Sequence, residues 1–343
     1  MTPIDYPVLF AIVSALAIGL YVTLDGFDLG VGILFPFAPS AKDRNRMMQS
    51  LAPMWDGNET WLVLGGMVLL CAFPTAFSIL LPAFYVPLGM MLFGLVLRGI
   101  SFEFRSQGGP LQIGWTFAFA AGSFLAAFFQ GAILGAFVSG DVTVADKQFA
   151  GGPLDWITLF SIATGFGVVA GYALLGAGWL IWRTEGTTQI FAREIARPTL
   201  MATGAAIALV SIWTPLSLSG IWARWFSWPN MIYLAPLPIV AALSWLVAWR
   251  SLWGRREWLP FCATILLFAS SLGGLGASIW PAAVPGALTF WEASSALRTQ
   301  EILALALAAI LPLVLAYTAF SYWVFRGKIT VSDLEGETRQ PEY

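Results

Sequence analysis

The chain has 343 residues, of which 58% are hydrophobic and only 10% are charged, and its formal net charge is −2. Soluble domains carry about 25% charged residues, so this composition excludes an ordinary soluble domain and is typical of a polytopic membrane protein. The small number of basic residues also excludes a nucleic-acid partner.

Ligands for metals and haem are scarce. There is no His, which removes the commonest ligand of haem and of transition metals. The two cysteines, Cys71 and Cys262, lie far apart in separate apolar runs and lack the spacing of a zinc or iron–sulfur site. We therefore expect no metal site in this chain, and we expect any redox centre to lie on another chain.

Apolar runs long enough to cross about 30 Å of hydrocarbon recur along the whole chain. The first run has no Lys or Arg ahead of it, so it is predicted to be a retained span rather than a signal peptide. The runs cover residues 8–36, 51–72, 75–98, 114–138, 156–182, 199–217, 230–250, 258–280 and 301–326. The predicted fold class is an all-α polytopic membrane protein with nine transmembrane helices.

The nine helices predict a domain organisation and an orientation. We expect one four-helix bundle in residues 1–139, a second in 140–300, and a ninth helix with a charged tail in 301–343. Of the 17 basic residues, 14 fall on one side of the predicted membrane and 3 on the other. Because basic residues accumulate in cytoplasmic loops, the N-terminus is predicted to be periplasmic and the C-terminus cytoplasmic.

Charged residues interrupt the cytoplasmic ends of the first three predicted helices. Asp25 and Asp28 lie in "YVTLDGFDLGVGILFPF", Asp56 and Glu59 in "APMWDGNETWLVL", and Arg98 in "LVLRGISFEFR". At 1.5 Å per residue, Asp25 lies roughly 25 Å along the first helix. Residues three apart share a helix face, so each acidic pair is expected to point in one direction. The sequence thus predicts a polar layer shared by three helices, with Arg98 as the counter-charge.

Two interpretations of this layer stay open. The charges can satisfy one another at helix ends and so stabilise packing, or they can line a hydrated path that carries protons from the cytoplasm. Ionisable residues inside a membrane are costly and often functional. Asp25 and Asp56 are the stronger candidates for the proton path.

Four motifs in this order, "LDGFDLGVGIL", "MWDGNETWLV", "FPTAFSILLPAFYVPL" and "LRGISFEFR", span residues 24–105. Together they resemble subunit II of the cytochrome bd family of quinol oxidases, including its cyanide-insensitive branch. The later two-thirds of the chain match that family in helix count and hydropathy more than in motif.

The resemblance implies a heterodimer in the bacterial inner membrane. A partner, subunit I, would carry the haems (b and d, or b only) and the quinol site, and small single-helix accessory subunits would be further partners. Lipid and quinol would be small-molecule partners, and some relatives hold a quinone in subunit II. The complex would be an electron-transport oxidoreductase that oxidises membrane quinol and reduces O₂ to water.

The resemblance also implies site residues. Proton uptake from the cytoplasm in that family is assigned to acids of the motifs that match Asp25, Asp28 and Asp56 here, and Arg98 matches the arginine of the third helix. The "ETW" after "WDGN" replaces Gln-Val-Trp of some relatives, so Glu59 is carried over less securely. Two alternatives stay open: a stand-alone proton-coupled membrane transporter, and a purely structural scaffold subunit.

Overall fold

The computed structural model describes residues 4–329, which are mostly helical. The helices are α1 (Tyr6–Leu34), a 3₁₀ turn (Phe35–Phe37), α2 (Ala41–Leu51), α3 (Trp55–Ala72), α4 (Pro74–Ser106), α5 (Gln112–Ser139), α6 (Leu159–Arg183), α7 (Gly186–Ser217), α8 (Ser219–Phe226), α9 (Asn230–Leu234), α10 (Pro236–Ser251), α11 (Leu259–Ile279), α12 (Phe290–Ala293) and α13 (Leu297–Val324). Two short antiparallel hairpins lie in loops: β1 (Val144–Ala145) with β2 (Gln148–Phe149), and β3 (Ala282–Val284) with β4 (Leu288–Thr289).

Eight helical segments in the described residues are long and apolar enough to cross a membrane. They correspond to the predicted spans other than 51–72. That stretch forms α3, an 18-residue helix whose first turns carry Asp56, Asn58 and Glu59, and these polar side chains lower its mean hydropathy. The multi-pass, all-α class is therefore confirmed, whereas the count of nine spans stays a prediction.

Two helices extend well beyond the predicted spans on the side rich in basic residues. The fourth helix, α4, continues past residue 98 to Ser106, so that Arg98 lies well inside it. The seventh, α7, begins at Gly186 instead of residue 199. Hydropathy detects only the apolar part of a helix that lies in the hydrocarbon. The backbone hydrogen bonds of the helix can extend beyond that part into water.

A short amphipathic helix, α2, replaces the loop expected before residue 51 and is tethered to α7. Ser40 caps it by accepting a hydrogen bond from the backbone N–H of Asp43 at 3.1 Å. The Asp43 carboxylate accepts from the hydroxyls of Ser40 and Thr187 at 2.5 Å and of Thr188 at 2.8 Å, and pairs with Arg46 at 3.5 Å. Burial acts to raise the pKa of Asp43, but these hydrogen bonds and the ion pair outweigh it and hold the pKa below its usual range.

The helix α1 lies at the centre of the fold. It packs on α3, α5 and α6, while α4 packs on α5, α6 also contacts α7 and α11, and α13 packs on α3 and α1. The buried hydrophobic residues of these helices form a continuous core. The predicted division into bundles at residues 139 and 300 stays a prediction, since α6 joins the two parts by packing on α1 and α5.

Glycine allows α1 and α6 to touch backbone to backbone. A Cβ placed on Gly30 would lie 1.8 Å from the carbonyl oxygen of Tyr172, and one on Gly176 would lie 2.4 Å from the backbone nitrogen of Val31. Neither position has room for any side chain. Small residues permit this close approach in membrane proteins, and the crossing fixes the depth of α1, including Asp25 and Asp28, relative to α6.

Candidate functional site

The guanidinium of Arg98 joins two carboxylates from two other helices. Its Nη1 donates to Asp25 Oδ1 at 2.5 Å and its Nη2 donates to Glu59 Oε2 at 2.8 Å. Asp25 and Arg98 are 0% and 1% exposed, whereas the Glu59 side chain is 30% exposed. The planar fork of arginine suits such paired charge-assisted bonds. One cation therefore connects a fully buried acid on α1 with a partly exposed acid on α3.

A second chain of hydrogen bonds runs beside the first. Asn58 Nδ2 donates to Asp28 Oδ2 at 2.7 Å, and the Tyr322 hydroxyl donates to Asn58 Oδ1 at 2.9 Å. Asp28 and Asn58 are both buried, and Tyr322 belongs to α13. The amide therefore links α1, α3 and the last helix at the depth of the charged cluster.

Several buried polar atoms of the cluster have no hydrogen-bond partner within the described part of the chain. They include Asp25 Oδ2, Asp28 Oδ1, Arg98 Nε and the hydroxyl of Tyr21. Buried polar groups are normally paired with protein or with ordered water. Unpaired acceptors and donors on neighbouring side chains make this region chemically suited to internal water.

Aromatic side chains border the cluster. The Arg98 guanidinium carbon lies 5.7 Å from the centre of the Trp55 ring, which packs on Phe102. Deeper in the fold, the Tyr172 hydroxyl donates to Gln130 Oε1 at 2.7 Å, which joins α6 to α5. The mid-membrane amide of Gln130 is thus satisfied by a helix–helix hydrogen bond.

Four of the five predicted site residues come together, and Asp56 does not. The side chain of Asp56 is exposed in the first turn of α3, one turn below Glu59. An acidic residue is favourable there because a helix N-terminus carries partial positive charge. Glu59 reaches Arg98, and the expectation that Asp56 is the stronger candidate for the proton path stays a prediction.

Tyr322 and Tyr21 are the members of this region that sequence reasoning missed. Tyr322 is 264 residues from its partner Asn58 along the chain. From the sequence alone, an aromatic residue near the end of a span is interpreted as part of the aromatic belt at the membrane interface. Tyr21 lies four residues before Asp25, on the same helix face. That spacing is the signal that could have identified Tyr21, whereas Tyr322 offered none.

Comparisons with known proteins identify the family of the chain. Residues 6–325 match the sequence model of the family described as cytochrome bd terminal oxidase subunit II. The chain belongs to this family.

Individual relatives of the family cover nearly the whole chain. Cytochrome bd-I ubiquinol oxidase subunit 2 of Escherichia coli strain K12 is 28% identical over 378 aligned residues, covering 98% of this chain and 99% of the relative. Cytochrome bd ubiquinol oxidase subunit 2 of Bacillus subtilis strain 168 is 26% identical, and the alignment covers 94% of this chain and 96% of the relative. The resemblance drawn from residues 24–105 is confirmed and extends along the chain.

A solved structure of the bd oxidase from Geobacillus thermodenitrificans has a similar fold. The TM-score is 0.73 at 18% identity, with 94% of this chain and 99% of that chain covered. At this identity the likeness shows the fold alone.

The residues present do not fit a haem or metal site. No group of three or more His, Cys, Asp or Glu side chains in the described residues could hold a metal ion, and the whole sequence lacks His. Haem iron in proteins is held by axial ligands that are most often His. Within the carboxylate cluster, Arg98 bonds one oxygen each of Asp25 and Glu59, and Asn58 bonds one oxygen of Asp28.

Proposed function

We propose that the chain is the haem-free subunit II of a cytochrome bd-type terminal oxidase in the bacterial inner membrane. Family membership and relatives named subunit 2 of ubiquinol oxidases support this. A haem-bearing subunit I would complete the heterodimer, and its haems would pass electrons from quinol to O₂. This chain supplies no redox centre; it supports assembly and supplies protons.

We further propose that α3 also crosses the membrane, which brings the number of spans to nine. Its 18 residues extend about 27 Å at 1.5 Å per residue, close to the thickness of the hydrocarbon core. In its first turns Asn58 bonds to Asp28 of α1 and Glu59 to Arg98 of α4, which offsets part of the cost that their low hydropathy implies. With nine spans, the N-terminus lies outside and the C-terminus inside, as the basic residues favour.

The proposed proton role rests on a charge imbalance. Three carboxylates, of Asp25, Asp28 and Glu59, share one guanidinium inside the membrane. Ionising all three would leave an excess of negative charge at low dielectric, which is costly. A cluster of this kind favours taking up and releasing a proton as its surroundings change, whereas a purely structural cluster needs only one acid for each base.

The geometry favours entry at Glu59. Its carboxylate is the partly exposed member and lies at the cytoplasmic end, whereas Asp25 is fully buried beyond Arg98. The unpaired oxygens of Asp25 and Asp28 and the hydroxyl of Tyr21 are buried and can exchange protons through water. Reduction of O₂ to water on the partner consumes protons, so a path from the cytoplasm has a chemical purpose.

The alternatives make different demands on the same residues. A stand-alone transporter would place its site near the membrane midplane between repeated halves, whereas these acids gather at one end of α1, α3 and α4. A scaffold would need the Arg98–Asp25 pair for packing but would have no use for Glu59, whose bond to Arg98 is partly solvated. Glu59 is therefore the residue that separates proton delivery from scaffolding.

The test is Glu59→Gln in the intact complex. The change keeps the side-chain shape and the buried Arg98–Asp25 pair, so we expect the partner to co-purify with normal haem content. Quinol-driven oxygen uptake should slow by about tenfold or more, because a titrating group contributes at least that much to proton transfer. The matched control is Glu194→Gln, which alters an exposed acid on α7 and should leave uptake unchanged.

Three outcomes would contradict parts of the proposal. Wild-type oxygen uptake by the assembled Glu59→Gln complex would remove Glu59 from the proton path. Loss of the partner in this variant would favour the scaffold. Isolation of the wild-type chain alone, stable and without a haem-absorbing partner, would overturn the oxidase assignment itself.

A further inference from the structure

We propose that a cavity at the cytoplasmic ends of α2, α4 and α5 binds the phosphate headgroup of an anionic phospholipid. The cavity has a volume of about 370 Å³ and is lined by Arg44, Arg105, Gln112 and Thr116, among others. It lies on the side that the basic residues mark as cytoplasmic. The site is separate from the carboxylate cluster, and neither the redox assignment nor the proton path is needed for it.

Arg105 is a buried cation without a protein anion. Its residue is 4% exposed, and its guanidinium donates to Thr116 Oγ1 at 3.1 Å, Asn45 Oδ1 at 3.0 Å and Met48 Sδ at 3.2 Å. Its carbon lies 4.8 Å from the centre of the Phe35 ring. All these partners are neutral, and no carboxylate in residues 4–329 forms an ion pair with it. A buried charge without a counter-charge is costly, so the site favours an anion.

Two further sources of positive potential face the same cavity. Arg44 lines it and is held by a bond from its Nη1 to the carbonyl oxygen of Ala38 at 3.3 Å, and its charge repels that of Arg105. The helix α5 begins at Gln112, and none of the side chains described in the structure caps its first turn. An uncapped helix N-terminus attracts phosphate and carboxylate groups. Among the described residues, no acidic side chain lines the cavity, so the described charges around it all attract an anion.

Apolar side chains at the mouth distinguish a lipid from a free phosphate ion. Ile113 and Phe117 line the cavity on successive turns of α5 and are 69% and 62% exposed, and Phe37 beside it is 67% exposed. Because α5 enters the membrane from this end, the two side chains lead from the cavity towards the hydrocarbon. They offer a surface for an acyl chain, which inorganic phosphate would leave unused. Basic pockets at this leaflet recognise anionic headgroups in this way.

The protein is purified in detergent together with the chains that accompany it, and its bound lipid is removed. The experiment then measures how tightly this complex binds added lipid. Native mass spectrometry follows titration with dioleoylphosphatidylglycerol or dioleoylphosphatidylcholine. We expect one tightly bound phosphatidylglycerol molecule per complex, and we expect that phosphatidylcholine does not displace it. Arg44→Gln should weaken it about tenfold, the effect of one charged hydrogen bond. The matched control, Arg255→Gln, changes an exposed loop arginine and should not alter binding.

Each outcome decides the proposal. Equal binding of the two lipids to the wild-type complex would overturn it without any variant. Displacement of phosphatidylglycerol by millimolar inorganic phosphate would assign the cavity to the free ion instead. An unchanged affinity in Arg44→Gln, or an equal loss in Arg255→Gln, would show that the bound lipid lies elsewhere or is held by general surface charge.

Discussion

Replacing Arg98 with Met tests whether the charged cluster holds α1, α3 and α4 together. Met matches the length of the arginine stem but removes the cation, so Asp25 loses its only ion-pair partner among the described residues while remaining 0% exposed. Breaking a buried pair from one side costs about 3–5 kcal/mol. Glu59, which can turn towards water, adds about 0–1 kcal/mol. The whole stability of a typical domain is about 5–15 kcal/mol, so the variant should lose a large fraction of its stability.

The assay is the thermal unfolding midpoint of the purified complex, with the co-purified partner quantified by its haem absorption. We expect Arg98→Met to lower both sharply. The double variant Arg98→Met with Asp25→Asn should recover a large part of the loss, because the buried carboxylate that Arg98 bonds directly is then removed as well. Arg298→Met is the control: this arginine pairs with Glu301 but its side chain is 83% exposed, so its loss should cost less than about 1 kcal/mol.

Two results would refute this reasoning. A single variant as stable as the wild type would mean that Arg98 is not buried against Asp25 in the assembled protein. A double variant no more stable than the single one would mean that the loss comes from the arginine stem and its packing on Trp55, and not from the uncompensated carboxylate.

Two further predictions concern packing and pH. Gly176→Ala should destabilise the protein by about 1–3 kcal/mol or more, since its Cβ would lie 2.4 Å from the backbone of Val31. The control is Gly276→Ala, whose Cβ would have nothing within 4 Å and which should be neutral or stabilising. Equal unfolding midpoints of the two variants would contradict the close crossing of α1 and α6. Asp43 has a lowered pKa, so its contribution is present above about pH 4 and is lost as pH falls through the lower, folded-state pKa. The difference in unfolding midpoint between wild type and Asp43→Asn should therefore shrink below that pH, and a constant difference would contradict it.

The number and placement of most helices could be predicted because a bilayer imposes a simple rule on each segment separately. In the described residues, eight of the predicted spans recur as helices that are long and apolar enough to cross a membrane, since about 20 apolar residues are required whatever the neighbours are. The boundaries could not be predicted in the same way. Arg98 marks the end of a hydrophobic run but lies inside α4, because a helix does not end where the hydrocarbon does.

The site shows the same division between local and tertiary information. The clustering of Asp25, Asp28, Glu59 and Arg98 follows from depth along three consecutive helices, which the sequence and the basic-residue bias specify. Rotation about each helix axis decides which acid faces inwards, and this separates Glu59 from the exposed Asp56. The rotation of a helix about its axis depends on packing against other helices, and hydropathy carries no information about that packing.

By itself the sequence determined a histidine-free, multi-pass membrane protein of the cytochrome bd subunit II family with acids near the ends of its first helices. Composition, apolar run length and charge bias are properties of single segments, so they can be read without a fold. Only the tertiary structure decided that one guanidinium joins Asp25 to Glu59, that Tyr322 reaches Asn58 from the far end of the chain, and that Arg105 is buried without an anion. These are relations between helices, set where glycines such as Gly30 and Gly176 let backbones touch.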